Sequence, residues 1–285
     1  MSAARVAVNG VELAYEDRGG PGRPLVLVHG YTGSRRDFAA RLPELARLGR
    51  TIALDLRGHG ESSHAEPETY TLARLADDLV GFLAAHRIER CDLLGHSLGG
   101  MVALRAALAH PERFASLVLM NTAARAPDGI PLETFRLARR IALESGMATL
   151  VDLMRERAPG DSGRTEADRR LEAEWGAAYW EEWRIPNFRA MDPEAYAALG
   201  RELVEQPSLL ARLAAIRCPT LVMVGEGDHG FLTAAEELER GIPGARRVEI
   251  PRAGHQPQLE NSSAWLAAIR EHLAQVRREP SFPGR

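Results

Sequence analysis

Features that define several other classes of protein are scarce in this 285-residue chain. It has only two cysteines, Cys91 and Cys218, which is too few for a disulfide framework or for a zinc site built from cysteine alone. It has no basic excess, because 36 Lys and Arg residues face 39 Asp and Glu residues, and this balance argues against binding to nucleic acid. The composition, 45% apolar and 26% charged, is that of an ordinary globular protein.

Long hydrophobic segments are also absent from the sequence. No stretch reaches the roughly 18 apolar residues that a membrane-spanning helix needs. The first ten residues, MSAARVAVNG, lack the apolar run of a signal peptide. We therefore expect no membrane span and a location in the cytoplasm.

Short apolar runs of strand length recur in the first and last thirds of the chain. Two of them flank Asn9-Gly10, a strong signal for a two-residue hairpin turn. Several of the others are apolar on both faces, which is typical of a parallel sheet covered by helices. The predicted strands are Arg5–Val8, Val11–Glu16, Leu25–Val28, Thr51–Leu54, Asp92–Leu94, Ser116–Met120, Thr220–Val224 and Arg247–Ile250.

Amphipathic helical patterns alternate with these runs and predict an α/β fold with a mostly parallel central sheet flanked by helices. The alternation stops between Ala123 and Ala215, where only helical signals occur. We therefore predict a core domain formed by residues 1–122 and 216–285, with a helical lid inserted at 123–215.

The segment Gly95-His96-Ser97-Leu98-Gly99 follows a predicted strand and opens a helical pattern. A G-x-S-x-G sequence in this setting is typical of a nucleophile elbow, a sharp turn that projects the serine hydroxyl above the sheet. The alternative is an ordinary glycine-rich turn. We interpret Ser97 as a nucleophile.

A serine nucleophile needs a base to take its proton and a carboxylate to orient that base. In this architecture the order along the chain is Ser, acid, His. Asp228 follows the strand ending at Val224, and His255 follows the strand ending at Ile250. Both lie at the carboxyl ends of predicted strands, where α/β sheets place functional loops, and we predict them as acid and base.

Other residues compete for these two roles. Asp228 could instead cap the helix that follows it, and Glu226 is the rival acid. Among the histidines, His229 adjoins Asp228 and is poorly placed to receive its hydrogen bond, whereas His272 falls within the C-terminal helical pattern.

An acyl-transfer site also needs two backbone N–H donors for the developing oxyanion. We predict the N–H of Leu98, directly after the nucleophile, and the N–H of Tyr31, in the loop after Leu25–Val28. His29 and Gly30 are predicted next to the substrate pocket. For His29 we favour a buried, hydrogen-bonded role within the loop over a catalytic one.

Five segments carry a resemblance to the α/β-hydrolase fold family of esterases, lactonases and C–C bond hydrolases. They are LVLVHGYTGS (25–34), ALDLRGHGES (53–62), DLLGHSLGG (92–100), PTLVMVGEGD (219–228) and IPRAGHQPQLE (250–260). The resemblance implies a structural loop at Asp55–Ser62 and an anchoring role for Glu260 in the loop of His255. The serine at position 97 separates the chain from the haloalkane dehalogenases and epoxide hydrolases of this fold, which use an aspartate nucleophile.

The predicted lid contains three aromatic residues, Trp175, Tyr179 and Trp183, at spacings of four that place them on one helix face. They either form an aromatic wall over an apolar substrate pocket or pack the lid onto the core domain. The sequence favours neither alternative.

These observations predict a serine hydrolase without cofactor or metal that cleaves a small or medium carboxylic ester through an acyl-enzyme. Hydrolysis of a C–C bond in a vinylogous diketone, or of an enol-lactone, fits the same motifs. Two further alternatives are a lyase or synthase that uses the triad as a base and a ligand sensor without catalysis. The predicted partner is a small molecule, and the sequence leaves the oligomeric state open.

Overall fold

The computed structural model describes residues 3–127, 132–157, 169–171, 173 and 185–278. Within these ranges an eight-stranded sheet forms the centre of the molecule. Its strands are β1 (Ala4–Val8), β2 (Val11–Asp17), β3 (Leu25–Val28), β4 (Thr51–Leu54), β5 (Cys91–His96), β6 (Phe114–Met120), β7 (Thr220–Gly225) and β8 (Arg246–Ile250).

The strand order is β1-β2-β4-β3-β5-β6-β7-β8, antiparallel among β1, β2 and β4 and parallel from β4 to β8. Asn9 and Gly10 form the predicted hairpin turn, with φ angles of 48° and 83° that suit these two residue types. All eight predicted strands are present. The main difference is β5, which continues through Gly95 and His96 because both pair with β6.

Helices cover both faces of the sheet, as the doubly apolar strands predict. In β3, Val26 and Val28 belong to one core cluster, and Leu25 and Leu27 belong to the other, because alternate side chains point to opposite faces. The helices are α1 (Leu42–Ala46), α2 (Leu72–Ala85), α3 (Leu98–Ala109), α4 (Leu132–Arg157), α5 (Ile185–Ala190), α6 (Pro193–Glu205), α7 (His229–Gly241), α8 (Pro257–Glu260) and α9 (Ser262–Arg278). Within the described ranges, none of these helices combines the length and apolar composition needed to cross a membrane.

The chain between β6 and β7 contains α4, α5 and α6, which we call the cap helices. Gly146 interrupts α4 with a φ of 83°. Backbone N–H groups take part in two of the hydrogen bonds that fasten α6 and its N-cap to the core: the N–H of Asp192 donates to the Gly58 carbonyl (2.8 Å), and the N–H of Leu72 donates to Glu202 Oε2 (3.0 Å). The limits 123–215 for a separate lid stay a prediction, because part of this stretch lies outside the described residues.

Four neighbouring parallel strands end at one edge of the sheet. Ser97 follows β5, Asn121 follows β6, Asp228 lies three residues beyond β7 and His255 lies five residues beyond β8. The carboxyl ends of parallel strands are where α/β sheets bring functional loops together. The parallel order β5-β6-β7-β8 therefore gathers side chains that are up to 158 residues apart in sequence.

Candidate active site

Ser97 occupies the sharp turn between β5 and α3. Its φ of 52° and ψ of −117° lie in a region that residues other than glycine rarely adopt. The N–H of Ser97 donates to the Met120 carbonyl (2.8 Å), and the Ser97 carbonyl accepts a hydrogen bond from Thr122 Oγ1 (2.6 Å). The end of β6 thus holds both sides of the Ser97 backbone in the geometry of a nucleophile elbow.

Close backbone packing explains the two glycines of the motif. A Cβ atom on Gly95 would overlap the backbone of Gly99 and Gly100. A Cβ atom on Gly99 would overlap the carbonyl oxygens of Val28 and His29 in and after β3. Glycine at both positions therefore lets the strand, the turn and the following helix approach one another.

Ser97, His255 and Asp228 form a continuous hydrogen-bonded series. His255 Nε2 lies 3.1 Å from Ser97 Oγ, and His255 Nδ1 lies 2.7 Å from Asp228 Oδ2. A carboxylate accepts hydrogen bonds, so the proton of a neutral imidazole belongs on Nδ1. Nε2 then carries the lone pair that can accept the proton of the Ser97 hydroxyl.

Asp228 stands at the N-cap position of α7, but its side chain makes no capping hydrogen bond within the described structure. Burial raises the pKa of this carboxyl, yet hydrogen bonds from His255 and Asn121 outweigh the burial and leave the pKa below its ordinary value. The positive end of the α7 dipole favours the carboxylate further. Asp228 is therefore an ionised acceptor for His255.

Asn121 is a site residue that the sequence analysis missed. Its Nδ2 donates to Asp228 Oδ2 (2.5 Å) and to the Gly254 carbonyl (3.1 Å), so one amide group links the loops of the acid and the base. It has a φ of 47°, which asparagine tolerates better than most residues. The sequence carried one signal for Asn121, its position directly after an apolar strand. Polar residues at the carboxyl ends of strands often belong to functional loops.

Two further contacts fix the loop that carries His255. His96 Nε2 lies 2.7 Å from the His255 carbonyl oxygen. Glu260 Oε2 accepts the N–H groups of Gly254 and, at 3.3 Å, of Gln256. Glu260 thus anchors this loop as the family resemblance implies, whereas nothing in the sequence analysis singled out His96.

The competing acid and bases lie outside this arrangement. Glu226 is exposed and accepts the N–H of Arg252 at 2.8 Å. His229 is exposed at the start of α7. His272 lies inside α9, where burial lowers its pKa to about 4. None of these three side chains contacts Ser97 in the described structure.

The predicted oxyanion donors adjoin Ser97. Leu98 is the first residue of α3, and an N–H in the first turn of a helix has no acceptor within that helix. A Cβ atom on Gly30 would lie 3.2 Å from the Ser97 Cβ, so the loop after β3 passes directly beside Ser97. Tyr31 follows Gly30 in the same loop. The N–H groups of Leu98 and Tyr31 stay the predicted oxyanion donors.

A cavity of about 200 Å³ opens above Ser97 and His255. Gly30 and Tyr31 line it from the core side, and Phe188 of α5 and Leu203 of α6 line it from the cap. The predicted pocket residues Trp175, Tyr179 and Trp183 lie outside the described residues. The described part of the cavity is therefore a small pocket around the serine whose walls combine apolar side chains and backbone with polar side chains such as Asp37 and Asn187.

The lining of the described cavity does not include His29, which the sequence predicted next to the substrate pocket. His29 is fully buried, with Nδ1 2.8 Å from the Gly30 carbonyl oxygen and Nε2 accepting the N–H of Leu56 at 3.0 Å. Burial lowers its pKa well below the ordinary histidine value, so the ring is neutral. His29 therefore has the buried, hydrogen-bonded role and ties the loop after β3 to the loop after β4.

Among the residues that the structure describes, no group of three or more His, Cys, Asp or Glu side chains could hold a metal ion.

Comparisons with known proteins agree on the fold and differ in the reaction. A thermophilic esterase from Thermogutta terrifontis, solved with malate bound, has a TM-score of 0.80 and 34% identity over 97% of this chain and 98% of its own. An enol-lactonase from Burkholderia xenovorans LB400 has a TM-score of 0.80 and 29% identity over 95% of this chain and 100% of its own. A candidate 2-succinyl-6-hydroxy-2,4-cyclohexadiene-1-carboxylate synthase of Bacillus subtilis (strain 168) is 27% identical over 97% of this chain and 100% of its own.

The sequence model of the alpha/beta hydrolase fold family matches residues 23–262, which is most of the chain. The eight-stranded, mostly parallel sheet and the nucleophile-elbow geometry of Ser97 agree with that match. The chain belongs to the alpha/beta hydrolase fold family.

Proposed function

We propose that this protein is a serine hydrolase that cleaves small carboxylic esters through an acyl-enzyme. The observation that carries the proposal is the hydrogen-bonded series Ser97–His255–Asp228 beneath a cavity of about 200 Å³. The fold alone would not carry it, because one fold supports many reactions and the function resides in the site.

In the first half-reaction, Ser97 Oγ attacks the ester carbonyl carbon while its proton moves to His255 Nε2. The imidazolium that forms is stabilised by the Asp228 carboxylate, and the N–H groups of Tyr31 and Leu98 hold the oxyanion of the tetrahedral intermediate. The intermediate collapses as His255 gives its proton to the departing alcohol oxygen. An acyl ester on Ser97 is left in the site.

In the second half-reaction, a water molecule replaces the alcohol. His255 Nε2 takes one proton from this water as its oxygen attacks the acyl carbonyl, and the same oxyanion donors act again. Collapse returns the proton from His255 to Ser97 Oγ. The products are a carboxylic acid and the restored serine.

An ester is the best-supported substrate class for two reasons. The Thermogutta terrifontis esterase is the more similar of the two compared structures at 34% identity. The cavity of about 200 Å³ lies below the roughly 300–1,000 Å³ that is usual for pockets that enclose drug-sized ligands. A small acyl group and a small alcohol therefore fit the described part of the pocket better than a large substrate does.

Enol-lactone or C–C bond hydrolysis is the second candidate, favoured by the similarity to the Burkholderia xenovorans enol-lactonase. The similarity to the Bacillus subtilis synthase candidate keeps a triad-based synthase as a further alternative. A panel of nitrophenyl esters, enol-lactones and vinylogous diketones separates these reactions. A kcat/KM for the best ester below that for the best lactone or diketone would contradict the ester proposal.

The pH dependence of hydrolysis gives a direct check on the base. We expect kcat/KM for a nitrophenyl ester to rise with pH on a single ionisation, because only neutral His255 can accept the Ser97 proton. Asp228 adds no second ionisation between pH 5 and about 8, since its lowered pKa keeps it charged over this range. A flat profile with chemistry rate-limiting would contradict the role of His255.

The size of the cavity predicts a preference for short acyl chains. We expect kcat/KM for acetate to butyrate esters to exceed that for the octanoate ester by about tenfold or more, because the longer chain exceeds the apolar space of the described cavity. Truncating the cavity-lining Leu203 to alanine enlarges the pocket and shifts the preference toward longer chains. The measurement is a chain-length series on both proteins.

Leu199 supplies the control for that experiment. It lies on the same helix, is fully buried and does not line the cavity. Leu199→Ala should lower the melting temperature, since buried leucine truncations cost about 2–5 kcal/mol, but leave chain-length selectivity unchanged. Equal selectivity changes in both variants would show that the pocket wall at Leu203 does not set the preference.

A further inference from the structure

We propose that the side chain of Tyr31 is a positioning residue that couples cap helix α6 to the oxyanion donor on its own backbone. The proposal rests on the proposed function, because it assigns a task to the N–H of Tyr31 in acyl transfer. Stabilisation of the transition state then depends on a hydrogen bond between the Tyr31 side chain of the core and helix α6 of the cap.

The side chain of Tyr31 reaches across from the core to the cap helices. Its hydroxyl donates a hydrogen bond to the Tyr196 carbonyl in α6, and its ring stacks on the Tyr196 ring with centroids 5.2 Å apart and planes at 21°. Phe135 of α4 completes the cluster at 6.4 Å from Tyr31 and 6.1 Å from Tyr196. Burial raises the pKa of Tyr31 well above its ordinary value, so the phenol stays a donor at neutral pH.

The backbone of the same residue is held from the opposite side. His59, in the loop after β4, places its Nε2 2.6 Å from the Tyr31 carbonyl oxygen. Gly30, directly before Tyr31, packs against Ser97. The peptide that carries the Tyr31 N–H thus lies beside Ser97. Tyr31 itself is held at its carbonyl by His59 of the core and at its hydroxyl by α6 of the cap.

Gly200 in α6 is an independent sign that this contact is built into the cap. A Cβ atom at this position would overlap the Phe135 ring and lie 2.5 Å from the Tyr31 hydroxyl. Glycine is a poorer helix former than alanine, and Gly200 lies inside α6 rather than at its end. The missing side chain makes room for the Tyr31 hydroxyl to reach the helix backbone.

The direct test is Tyr31→Phe, which removes only the hydroxyl. We expect kcat for a short nitrophenyl ester to fall about tenfold with KM changed less than about twofold, because the interaction matters most in the transition state. The inhibition constant of an alkylboronic acid, which forms a tetrahedral adduct on the serine, should rise by the same factor. An unchanged kcat and boronic acid affinity would overturn the proposal.

Gly200→Ala is a second variant that acts from the helix side. Its Cβ pushes Tyr31 and Phe135 away from α6, and we expect a fall in kcat and in boronic acid affinity in the same direction as for Tyr31→Phe. Alanine favours the helix, so general unfolding of α6 does not explain such a loss. Wild-type values in Gly200→Ala would count against the coupling.

Tyr70→Phe is the matched control. Tyr70 is a buried tyrosine whose hydroxyl donates to Asp192, the N-cap residue of α6, and it does not line the cavity. We expect a lower melting temperature with kcat within about twofold of wild type. A loss of kcat equal to that of Tyr31→Phe would assign both effects to a loosened helix and overturn the proposal.

Failure of this inference is distinguishable from failure of the proposed function. If the wild-type protein neither hydrolyses esters nor reacts with an organophosphonate at Ser97, the serine hydrolase assignment itself is wrong. If the wild type does both and Tyr31→Phe matches it, only the coupling between cap and oxyanion donor is wrong.

Discussion

Replacing Ser97 with alanine is expected to lower kcat by roughly 10⁴–10⁶-fold, the range seen when a triad nucleophile is removed. The physical reason is that no other hydroxyl in the described structure lies against His255 Nε2, where Ser97 Oγ stands at 3.1 Å. The backbone turn should persist in the variant. The hydrogen bonds that the N–H and the carbonyl of residue 97 make with Met120 and Thr122 do not involve the Ser97 hydroxyl.

The measurement is ester hydrolysis together with a melting curve for each protein. An organophosphonate should label the wild type with one adduct, at Ser97, and leave Ser97→Ala unlabelled. Ser63→Ala is a suitable control, because Ser63 does not line the described cavity and its hydroxyl accepts the N–H of Glu12. Retention of a tenth of wild-type kcat in Ser97→Ala would show that the acyl-enzyme mechanism is wrong.

Asp228→Asn is expected to lower kcat by about 10⁴-fold, as loss of the orienting carboxylate does in other triads. The amide that replaces the carboxylate can present an N–H to His255 Nδ1, now 2.7 Å from the acceptor oxygen. The imidazole would then carry its proton on Nε2 and could not accept the proton of Ser97. The loss should fall on kcat, with little change in KM.

Glu226→Gln is the matched control for this prediction. Glu226 is a carboxylate in the same loop, exposed and bonded to the Arg252 N–H rather than to a histidine. We expect kcat within about twofold of wild type. A larger loss in Glu226→Gln than in Asp228→Asn would identify Glu226 as the acid and contradict the assignment of Asp228.

The strands and the order of the site loops could be predicted from the sequence because their causes are local. Runs such as Leu25–Val28 are apolar on both faces, and this pattern requires cover on both sides of a parallel sheet. Gly95 and Gly99 mark a turn that no larger residue fits. The carboxyl end of β5 was harder to predict, because Gly95 and His96 join the strand only through pairing with the neighbouring strands β3 and β6.

His29 and Asn121 illustrate what local patterns leave undecided. His29 lies next to Gly30 in sequence, yet its ring turns inward to accept the N–H of Leu56 while Gly30 lines the cavity. Asn121 is 107 residues from Asp228 in sequence, and only the pairing of β6 with β7 brings its amide to that carboxylate. Which side of a loop faces the substrate depends on partners from other strands.

The sequence by itself determined the sheet, the nucleophile turn and the set of residues from which acid and base could come. These depend on side-chain periodicity, on glycine at positions without room for Cβ and on polar residues after strands. The tertiary structure decided that Asp228 and not Glu226 meets His255, that Asn121 joins the two loops, and that Tyr31 contacts α6. The physical reason is that these contacts join residues from different strands and helices, and their distances are set by sheet order and packing.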